Sequence, residues 1–255
     1  MQHRNKSRES GTANKSRESG TANMSEHDFA KCSDPQSSLG MNIGPDLDSA
    51  AQSLLKMPKK GVYAITPTNL SSAELLNVVR AALCGGAVML QYRAKPANLA
   101  DASKLKKLCD EFRVPLIIND DLAIAAQLGC GVHLGETDAG IAHARQKLGA
   151  DAIIGASCYD SVVLAQRALD NGASYVAFGS FYTSTTKTVP RRADIALLSK
   201  AAVLNAPCVA IGGIELSNAK PLIAAGVDYI AVVNGIFGQP DIQAASTALS
   251  QLFID

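Results

Sequence analysis

From Gly61 to the C-terminus, short apolar runs alternate with amphipathic stretches of helical length. This alternation predicts an α/β protein, a single closed (β/α)8 barrel (TIM barrel), because crossovers of helical length join parallel strands. Eight strand–helix units fill about 195 residues, the size of a compact barrel. An open doubly wound sheet is the alternative. It would need a glycine-rich fingerprint after the first strand, where the sequence has Thr66-Pro67-Thr68 instead.

The predicted strands are the short apolar runs, and the predicted helices are the longer stretches that follow them. Gly-Ala or Gly-Val pairs precede several strands, as expected for a helix C-cap followed by a short loop. The strands are Val62–Thr66, Val88–Tyr92, Leu116–Asn119, Val132–Leu134, Ile153–Ala156, Tyr175–Phe178, Val209–Ile211 and Tyr229–Val233. The helices are Ser72–Cys84, Leu99–Phe112, Asp121–Leu128, Ala139–Leu148, Ser161–Asn171, Ala193–Leu204, Ser217–Ala225 and Asp241–Phe253.

Residues 1–57 have the composition of a disordered extension that precedes the barrel. The nine residues Asn5–Ala13 are repeated without change at Asn14–Ala22, and they are rich in Ser, Gly, Asn, Arg and Lys. Such a segment has too few apolar side chains to bury a core, and a nine-residue duplication is too short for a solenoid unit. The predicted organisation is therefore a low-complexity tail over 1–57 and a catalytic barrel over 58–255.

Composition excludes several classes of function. The chain of 255 residues is 47% hydrophobic, contains no Trp and has a formal net charge of +1, so its overall charge favours neither nucleic acid nor membranes as partners. No apolar run approaches the length of a membrane span, and the expected location is the cytoplasm. Six scattered Cys without a CxxC pair indicate reduced, mostly buried thiols. Small-molecule substrates are the expected partners, and the sequence does not decide whether the protein forms a homo-oligomer.

Long polar side chains stand at the end of the second predicted strand. Gln91, Arg93 and Lys95 occur at a spacing of two, which directs all three to one side of an extended segment. Two cations and an amide suit an anionic ligand that also carries a heterocycle. The alternative is a solvated strand end with incidental charge.

Further polar groups follow other strands, and in a barrel they would meet at one rim. Asp120 and Asp138 lie after neighbouring strands and could share Mg²⁺, although an aspartate there can also cap a helix, as expected for Asp121. Gly212-Gly213, with Ser217 at a helix start and Asn234-Gly235 nearby, matches the phosphate site of many barrels. The Ser/Thr-rich loop ending at Lys187 adds hydroxyl groups and a cation. These groups predict two anion-binding subsites at the rim, which would suit two phosphorylated substrates or one diphosphate.

In combination these motifs closely resemble the thiamine phosphate synthase family of barrel enzymes, which join the pyrimidine and thiazole halves of thiamine. The resemblance covers the barrel from Gly61 onward and none of the tail. It depends on Gln91-Tyr-Arg-Ala-Lys95, Asn119-Asp120, Gly131-Val-His-Leu-Gly135 with Asp138, Ser157, Ser184-Thr-Thr-Lys187 and Ala210-Ile-Gly-Gly-Ile214.

The resemblance implies a site and a reaction. The pyrimidine diphosphate would be bound by Gln91, Tyr92, Arg93, Ala94, Lys95, Asn119, Ser157 and Lys187, of which Arg93, Lys95, Ser157 and Lys187 would be catalytic. The thiazole phosphate would be bound by Ser184, Thr185, Thr186, Gly213, Val233 and Asn234. Asp120 and Asp138 would hold one Mg²⁺ per subunit. The implied reaction is loss of pyrophosphate from the pyrimidine, followed by capture of the resulting cation by the thiazole nitrogen.

Two other functions remain as alternatives, and one residue needs a separate interpretation. A related barrel isomerises the thiazole phosphate without coupling the two halves, and a non-catalytic barrel could sense a phosphorylated ligand. The isomerase is disfavoured by the joint presence of the groups that would bind the diphosphate and the metal: Arg93, Lys95, Asn119, Asp120, Asp138 and Lys187. His133 is expected to pack and form hydrogen bonds at a strand end rather than to act in catalysis.

Overall fold

The computed structural model describes residues 57–68, 70–135, 140–183 and 192–254, and these residues form the predicted closed barrel. Eight parallel strands pair in sequence order, and the last pairs with the first, Gly61 opposite Tyr229. The strands are β1 (Gly61–Ile65), β2 (Met89–Tyr92), β3 (Leu116–Asn119), β4 (Gly131–Leu134), β5 (Ile154–Tyr159), β6 (Tyr175–Gly179), β7 (Cys208–Ile211) and β8 (Tyr229–Val232).

Helices follow the strands and cover the outside of the barrel. In the described residues they are α1 (Ser72–Cys84), α2 (Leu99–Glu111), α3 (Leu122–Leu128), α4 (Ile141–Leu148), α5 (Val162–Asp170), α6 (Ala196–Ala201), α7 (Lys220–Ala224), α8 (Asn234–Phe237) and α9 (Ile242–Gln251). Several begin at a side-chain cap that satisfies a free backbone N–H. Asp121 is one of these caps, as predicted, and its Oδ1 accepts from the Ile124 N–H at 2.9 Å.

Most of the described helices agree with the prediction to within two residues at each end, and three differ by more. Helix α6 is shorter than predicted and continues as a 3-10 turn over Ala202–Leu204, which ends where Asn205 adopts a left-handed conformation with φ of 48°. Helix α7 begins at Lys220, so Ser217 does not lie at a helix start. The four-residue helix α8 was not predicted, since a single turn is too short to show helical periodicity.

Side chains alternate between two apolar layers along each strand, as the period of two requires. Val62 and Ala64 point outward into the layer that packs against the helices. Tyr63 and Ile65 point inward, where they meet Met89 and other inward residues of the remaining strands. The lower barrel interior is thus filled with apolar and tyrosine side chains.

The remaining predictions about organisation are only partly covered by these residues. The predicted extension covers residues 1–57, of which 1–56 lie outside the described part of the chain, and its boundary with the barrel stays a prediction. Cys109, Cys130, Cys158 and Cys208 are free and buried, as predicted for structural thiols. Cys84 is disulfide-bonded instead, so the prediction of reduced thiols is wrong for this residue. None of the helices described here has the length and apolar character needed to cross a membrane.

Candidate active site

A pocket of about 280 Å³ opens at the carboxyl ends of the strands, where barrel enzymes bind their substrates. Its floor is polar because the last inward-facing residue of several neighbouring strands is polar. Gln91 of β2, Asn119 of β3, His133 of β4 and Ser157 of β5 all line it. Gln91, Asn119 and His133 are buried, and Ser157 is half-buried. Four positions on four strands thereby form a single recognition surface.

Hydrogen bonds connect this floor to two tyrosines inside the barrel. The Gln91 Nε2 group donates to the Tyr63 hydroxyl at 2.8 Å, and that hydroxyl lies 2.8 Å from the hydroxyl of Tyr175. The Tyr175 hydroxyl is 2.9 Å from His133 Nδ1, and His133 Nε2 is 2.9 Å from Ser157 Oγ. The side chains of the floor are therefore held in place by groups beneath them.

Glycine in β5 makes this arrangement sterically feasible. A Cβ atom on Gly155 would lie 2.0 Å from Cζ of Tyr175 and 2.3 Å from its hydroxyl oxygen, so the tyrosine ring occupies the space that a side chain would fill. The ring also stacks against His133 with centroids 5.6 Å apart. Gly155 thus determines where the Tyr175 hydroxyl can lie.

Burial keeps the connected groups uncharged. Desolvation lowers the pKa of His133 from 6.5 to about 4, and the nearby Asp120 carboxylate offsets only part of that effect. Burial also raises the pKa of Tyr63 and of Tyr175 above the ordinary tyrosine value. The imidazole is therefore neutral near pH 7 and carries one ring proton.

A charged group of residues lies at the rim beside β2 and β3. Arg93 lines the pocket, and its backbone N–H donates to Thr66 Oγ1 at 2.9 Å. Lys95 Nζ lies 2.5 Å from Asp120 Oδ2, with 66% of the lysine side chain and 25% of the aspartate side chain exposed. The Asp120 N–H donates to the carbonyl of His133 at 2.9 Å, which ties the carboxylate to the neighbouring strand. Cationic groups and one carboxylate thus stand at the entrance to the pocket.

The rim of the pocket carries one carboxylate of the kind that binds a hard metal ion. The described residues contain no cluster of three or more His, Cys, Asp or Glu side chains that could hold a metal by themselves. Asp120 is nevertheless a partly exposed carboxylate that already faces a cation, the Lys95 ammonium group. Mg²⁺ is commonly bound by one or two carboxylates together with substrate phosphates and water, and the donor chemistry fits that mode.

Glycines form the opposite side of the pocket, after β7 and β8. Gly212 and Gly213 have φ angles of 105° and 64°, which glycine adopts without strain. A Cβ atom on Gly213 would lie 2.4 Å from the Thr183 carbonyl oxygen. Asn218 fixes this turn, because its side chain donates to the Gly213 carbonyl and accepts from the Glu215 N–H, both at 2.9 Å. The backbone on this side can therefore approach a ligand closely.

The structure brings most of the described candidate residues together at one site. Gln91, Arg93, Asn119, Ser157, Gly213, Val233 and Asn234 line the pocket, and Lys95 and Asp120 pair at its rim. Tyr92 points outward from β2 into the layer beneath the helices, and Ala94 packs against that layer. The remaining candidates lie outside the described residues and stay predictions: Asp138, Ser184, Thr185, Thr186 and Lys187.

Sequence analysis missed the role of the two interior tyrosines. Tyr63 and Tyr175 lie within predicted strands, where each places a hydroxyl group among aliphatic neighbours. A polar-tipped aromatic in the middle of a buried strand requires a hydrogen-bonding partner, and this requirement was the available signal. His133 packs and forms hydrogen bonds at the end of β4, as expected from the sequence.

A closed barrel with a polar pocket at the carboxyl ends of its strands defines the class of (β/α)8-barrel enzymes. A family model described as thiamine monophosphate synthase matches residues 62–236. The chain belongs to this family, and it is an enzyme, a transferase of thiamine biosynthesis.

Individual relatives agree with this assignment. The chain is 49% identical over 201 residues to a thiamine-phosphate synthase from Methylobacillus flagellatus, covering 77% of this chain and 96% of the relative. It is 50% identical over 199 residues to the thiamine-phosphate synthase from Thiobacillus denitrificans, covering 76% and 94%.

Solved structures show the same fold. Thiamine phosphate pyrophosphorylase from Pyrococcus furiosus superposes with a TM-score of 0.67 at 29% identity, covering 80% of this chain and 97% of that one. A 3-hexulose-6-phosphate synthase, at 18% identity and a TM-score of 0.61, is similar in fold alone; the match covers 75% of this chain and 99% of that one.

Proposed function

We propose that the enzyme couples 4-amino-5-hydroxymethyl-2-methylpyrimidine diphosphate with 4-methyl-5-(2-hydroxyethyl)thiazole phosphate, or its carboxylated form, to give thiamine monophosphate and pyrophosphate. One observation carries the proposal: Gln91, Asn119 and Ser157, from three strands, meet in one pocket whose rim carries Arg93 and the Lys95–Asp120 pair. A ring-binding amide thus lies beside groups suited to a diphosphate.

The reaction requires charge stabilisation more than proton transfer. The bond between the exocyclic carbon of the pyrimidine and the diphosphate oxygen breaks, and its electron pair leaves with the pyrophosphate. The thiazole nitrogen then donates its lone pair to that carbon and forms the new C–N bond. With the thiazole phosphate that has no carboxylate, no proton has to move in either step, which agrees with a pocket whose histidine is buried and neutral. The carboxylated form would in addition lose CO₂ and take up one proton from solvent.

Cations at the rim would stabilise the departing pyrophosphate. Arg93 and Lys95 stand at the entrance, and Lys187 is proposed to join them from the loop after β6. Removing one such contact typically costs about 3 kcal/mol of transition-state stabilisation, or about a hundredfold in rate. Asp120, with Asp138, would hold Mg²⁺, which when bound neutralises negative charge on a leaving phosphate group.

The opposite side of the pocket would hold the second substrate. The left-handed turn at Gly212 and Gly213 and the start of α8 at Asn234 present backbone close to the cavity. Backbone N–H groups in such turns are suited to phosphate. The thiazole phosphate would lie there with Val233 beside it, and Ser184, Thr185 and Thr186 are proposed to contribute hydroxyl groups.

Pyrophosphate release by the full-length protein tests this function. Release should require both substrates and Mg²⁺, and an Asp120→Ala, Lys187→Ala double variant should lose at least about a hundredfold in rate. Lys106→Ala is a matched control, because Lys106 pairs with Asp110 on the outer helix α2. Binding of the thiazole phosphate without any pyrophosphate release would instead favour the isomerase or the sensor.

A further inference from the structure

A continuous chain of hydrogen bonds passes through the barrel interior and joins the two ends of the proposed pyrimidine diphosphate site. It runs from Gln91 through Tyr63, Tyr175 and His133 to Ser157, and each donor–acceptor distance is 2.8 or 2.9 Å. Gln91 and Ser157 line the pocket at the two ends, whereas Tyr175 is fully buried and lies outside the pocket lining. The ends can therefore influence each other without touching the same ligand atom.

Each group in the middle of the chain has a single proton to donate. A hydroxyl group carries one O–H, and a neutral imidazole carries one N–H. When Gln91 donates to Tyr63, Tyr63 must donate to Tyr175, Tyr175 to His133 Nδ1, and His133 Nε2 to Ser157. A break in this order would place either two protons or two lone pairs opposite each other at a buried contact, and both are costly. The chain consequently has only two complete arrangements, one in each direction.

The two directions present different groups to the pocket. In the direction just described, the Oε1 of Gln91 is free to accept from a ligand, and the Ser157 hydroxyl accepts from His133 and is free to donate. In the reverse direction, Gln91 turns its Oε1 to Tyr63 and offers its amide N–H groups to the ligand. Ser157 then donates to His133 and offers a ligand only lone pairs.

An aminopyrimidine diphosphate fits the first direction at both ends. Its ring amino group donates to the Gln91 oxygen, and its diphosphate oxygens accept from Ser157. An oxo-substituted pyrimidine diphosphate, bound with its carbonyl at the position of the amino group, fits neither direction. If Ser157 donates to the diphosphate, the Gln91 oxygen faces the ring carbonyl, and two acceptors meet. If Gln91 turns to donate to the carbonyl, the Ser157 lone pairs face the diphosphate oxygens, and again two acceptors meet.

We propose that Tyr63, Tyr175 and His133 are positioning residues that couple selection of the ring substituent at Gln91 to binding of the diphosphate at Ser157. The inference rests on the proposed function and deepens it. The coupling means that the enzyme rejects an oxo-substituted ring strongly only when the ring carries its diphosphate. An oxo-substituted alcohol has no diphosphate to hold Ser157 as a donor, so the chain of hydrogen bonds is free to reverse.

Calorimetric binding of four ligands to the full-length protein with Mg²⁺ tests the coupling. The ligands are the aminopyrimidine diphosphate, its oxo analogue, and the two corresponding alcohols. For each pair of ligands, the dissociation constant of the oxo form is divided by that of the amino form. This ratio should be at least about tenfold larger for the diphosphates than for the alcohols, as expected when one buried hydrogen bond is replaced by two facing acceptors.

The Tyr175→Phe variant removes the connecting hydroxyl without touching the pocket lining. Its oxo-to-amino ratio for the diphosphates should fall to the value for the alcohols, whereas a purely structural defect would weaken both diphosphates together and keep the ratio. Tyr229→Phe is the matched control, since Tyr229 is another tyrosine of the barrel interior, and its hydroxyl donates to the Pro58 carbonyl instead. That control should keep the wild-type ratio.

The outcomes separate the inference from the function on which it rests. Equal ratios for diphosphates and alcohols in the wild type, or an unchanged ratio in Tyr175→Phe, would overturn the coupling while pyrophosphate release still supported the synthase. No pyrophosphate release from the wild type with both substrates and Mg²⁺ would overturn the synthase and the coupling together.

Discussion

His133 shows how the barrel interior determines the chemistry of a single side chain. Both ring nitrogens are hydrogen-bonded to neutral hydroxyl groups, those of Tyr175 and Ser157, and the ring is buried. Desolvation therefore outweighs the attraction of the Asp120 carboxylate, and the pKa falls to about 4. A histidine on an exposed strand end would titrate near neutral pH instead.

Folding stability should depend on pH through His133. Between pH 6.5 and about 4 the unfolded chain binds a proton at this imidazole and the folded chain does not, so the free energy of unfolding falls as the pH falls. The full loss is about 3 kcal/mol across that window. Urea unfolding of the wild type and of His133→Asn at pH 7, 6, 5 and 4.5 measures it. The variant should show the smaller decrease, and parallel curves would contradict the assignment.

At the scale of elements, strand order and strand type could be predicted, but contacts between distant strands could not. Apolar runs of three to five residues identified all eight strands, because buried parallel strands are continuously apolar. Tyr63 and Tyr175 are 112 residues apart, and their contact depends on the stagger of the closed barrel. Period-two alternation gives the face of each residue and not its partner across the barrel, so the hydrogen-bonded chain required the structure.

One arginine connects two loops at the lower end of the barrel. Arg145 of α4 donates to the carbonyls of Gly149, Ala150 and Ala152 after its own helix, and to the Gly172 carbonyl and Ser174 hydroxyl after α5. Its guanidinium group therefore satisfies backbone groups of two successive helix–strand connections. Desolvation lowers the pKa of this arginine, which agrees with its enclosed position.

Replacing this arginine should weaken the fold without altering the pocket. Arg145→Lys keeps the charge but loses the planar fork, and we expect a decrease of about 2 kcal/mol in the free energy of unfolding. Arg167→Lys, at an exposed position on α5, should change it by less than about 0.5 kcal/mol. Urea denaturation of both variants measures the difference. Equal stabilities would show that the guanidinium contacts contribute little.

At the scale of the whole molecule, every strand pairs with two neighbours, so the sheet in the described residues has no open edge. The pairing is complete within residues 61–232, and the pocket is lined by residues of the same span and the start of α8. Most candidate residues at the rim could be predicted from their position after a strand. The outward direction of the Tyr92 side chain could also have been predicted, because adjacent residues of a strand point to opposite faces and Gln91 points inward.

Deletion of the predicted extension should leave a working enzyme. A protein of residues 57–255 keeps every described strand pairing and pocket contact, and we expect pyrophosphate release within about threefold of the full-length rate. A thermal melt and the release assay on both proteins check this. A melting temperature or rate well below that of the full-length protein would show that the first 56 residues contribute to the enzyme.

Closure of the barrel by β1 and β8 has a consequence for how the protein is made. Ribosomes release β1 first, yet one of its two partners is the last strand, and Ser246 of α9 then donates to the Ala82 carbonyl of α1 at 2.7 Å. Until Tyr229–Val232 has left the ribosome, a nascent chain carries two apolar strands with unpaired backbone groups at the sheet margins. A chain terminated before that point would expose both margins, which makes it a substrate for chaperones and a source of aggregation.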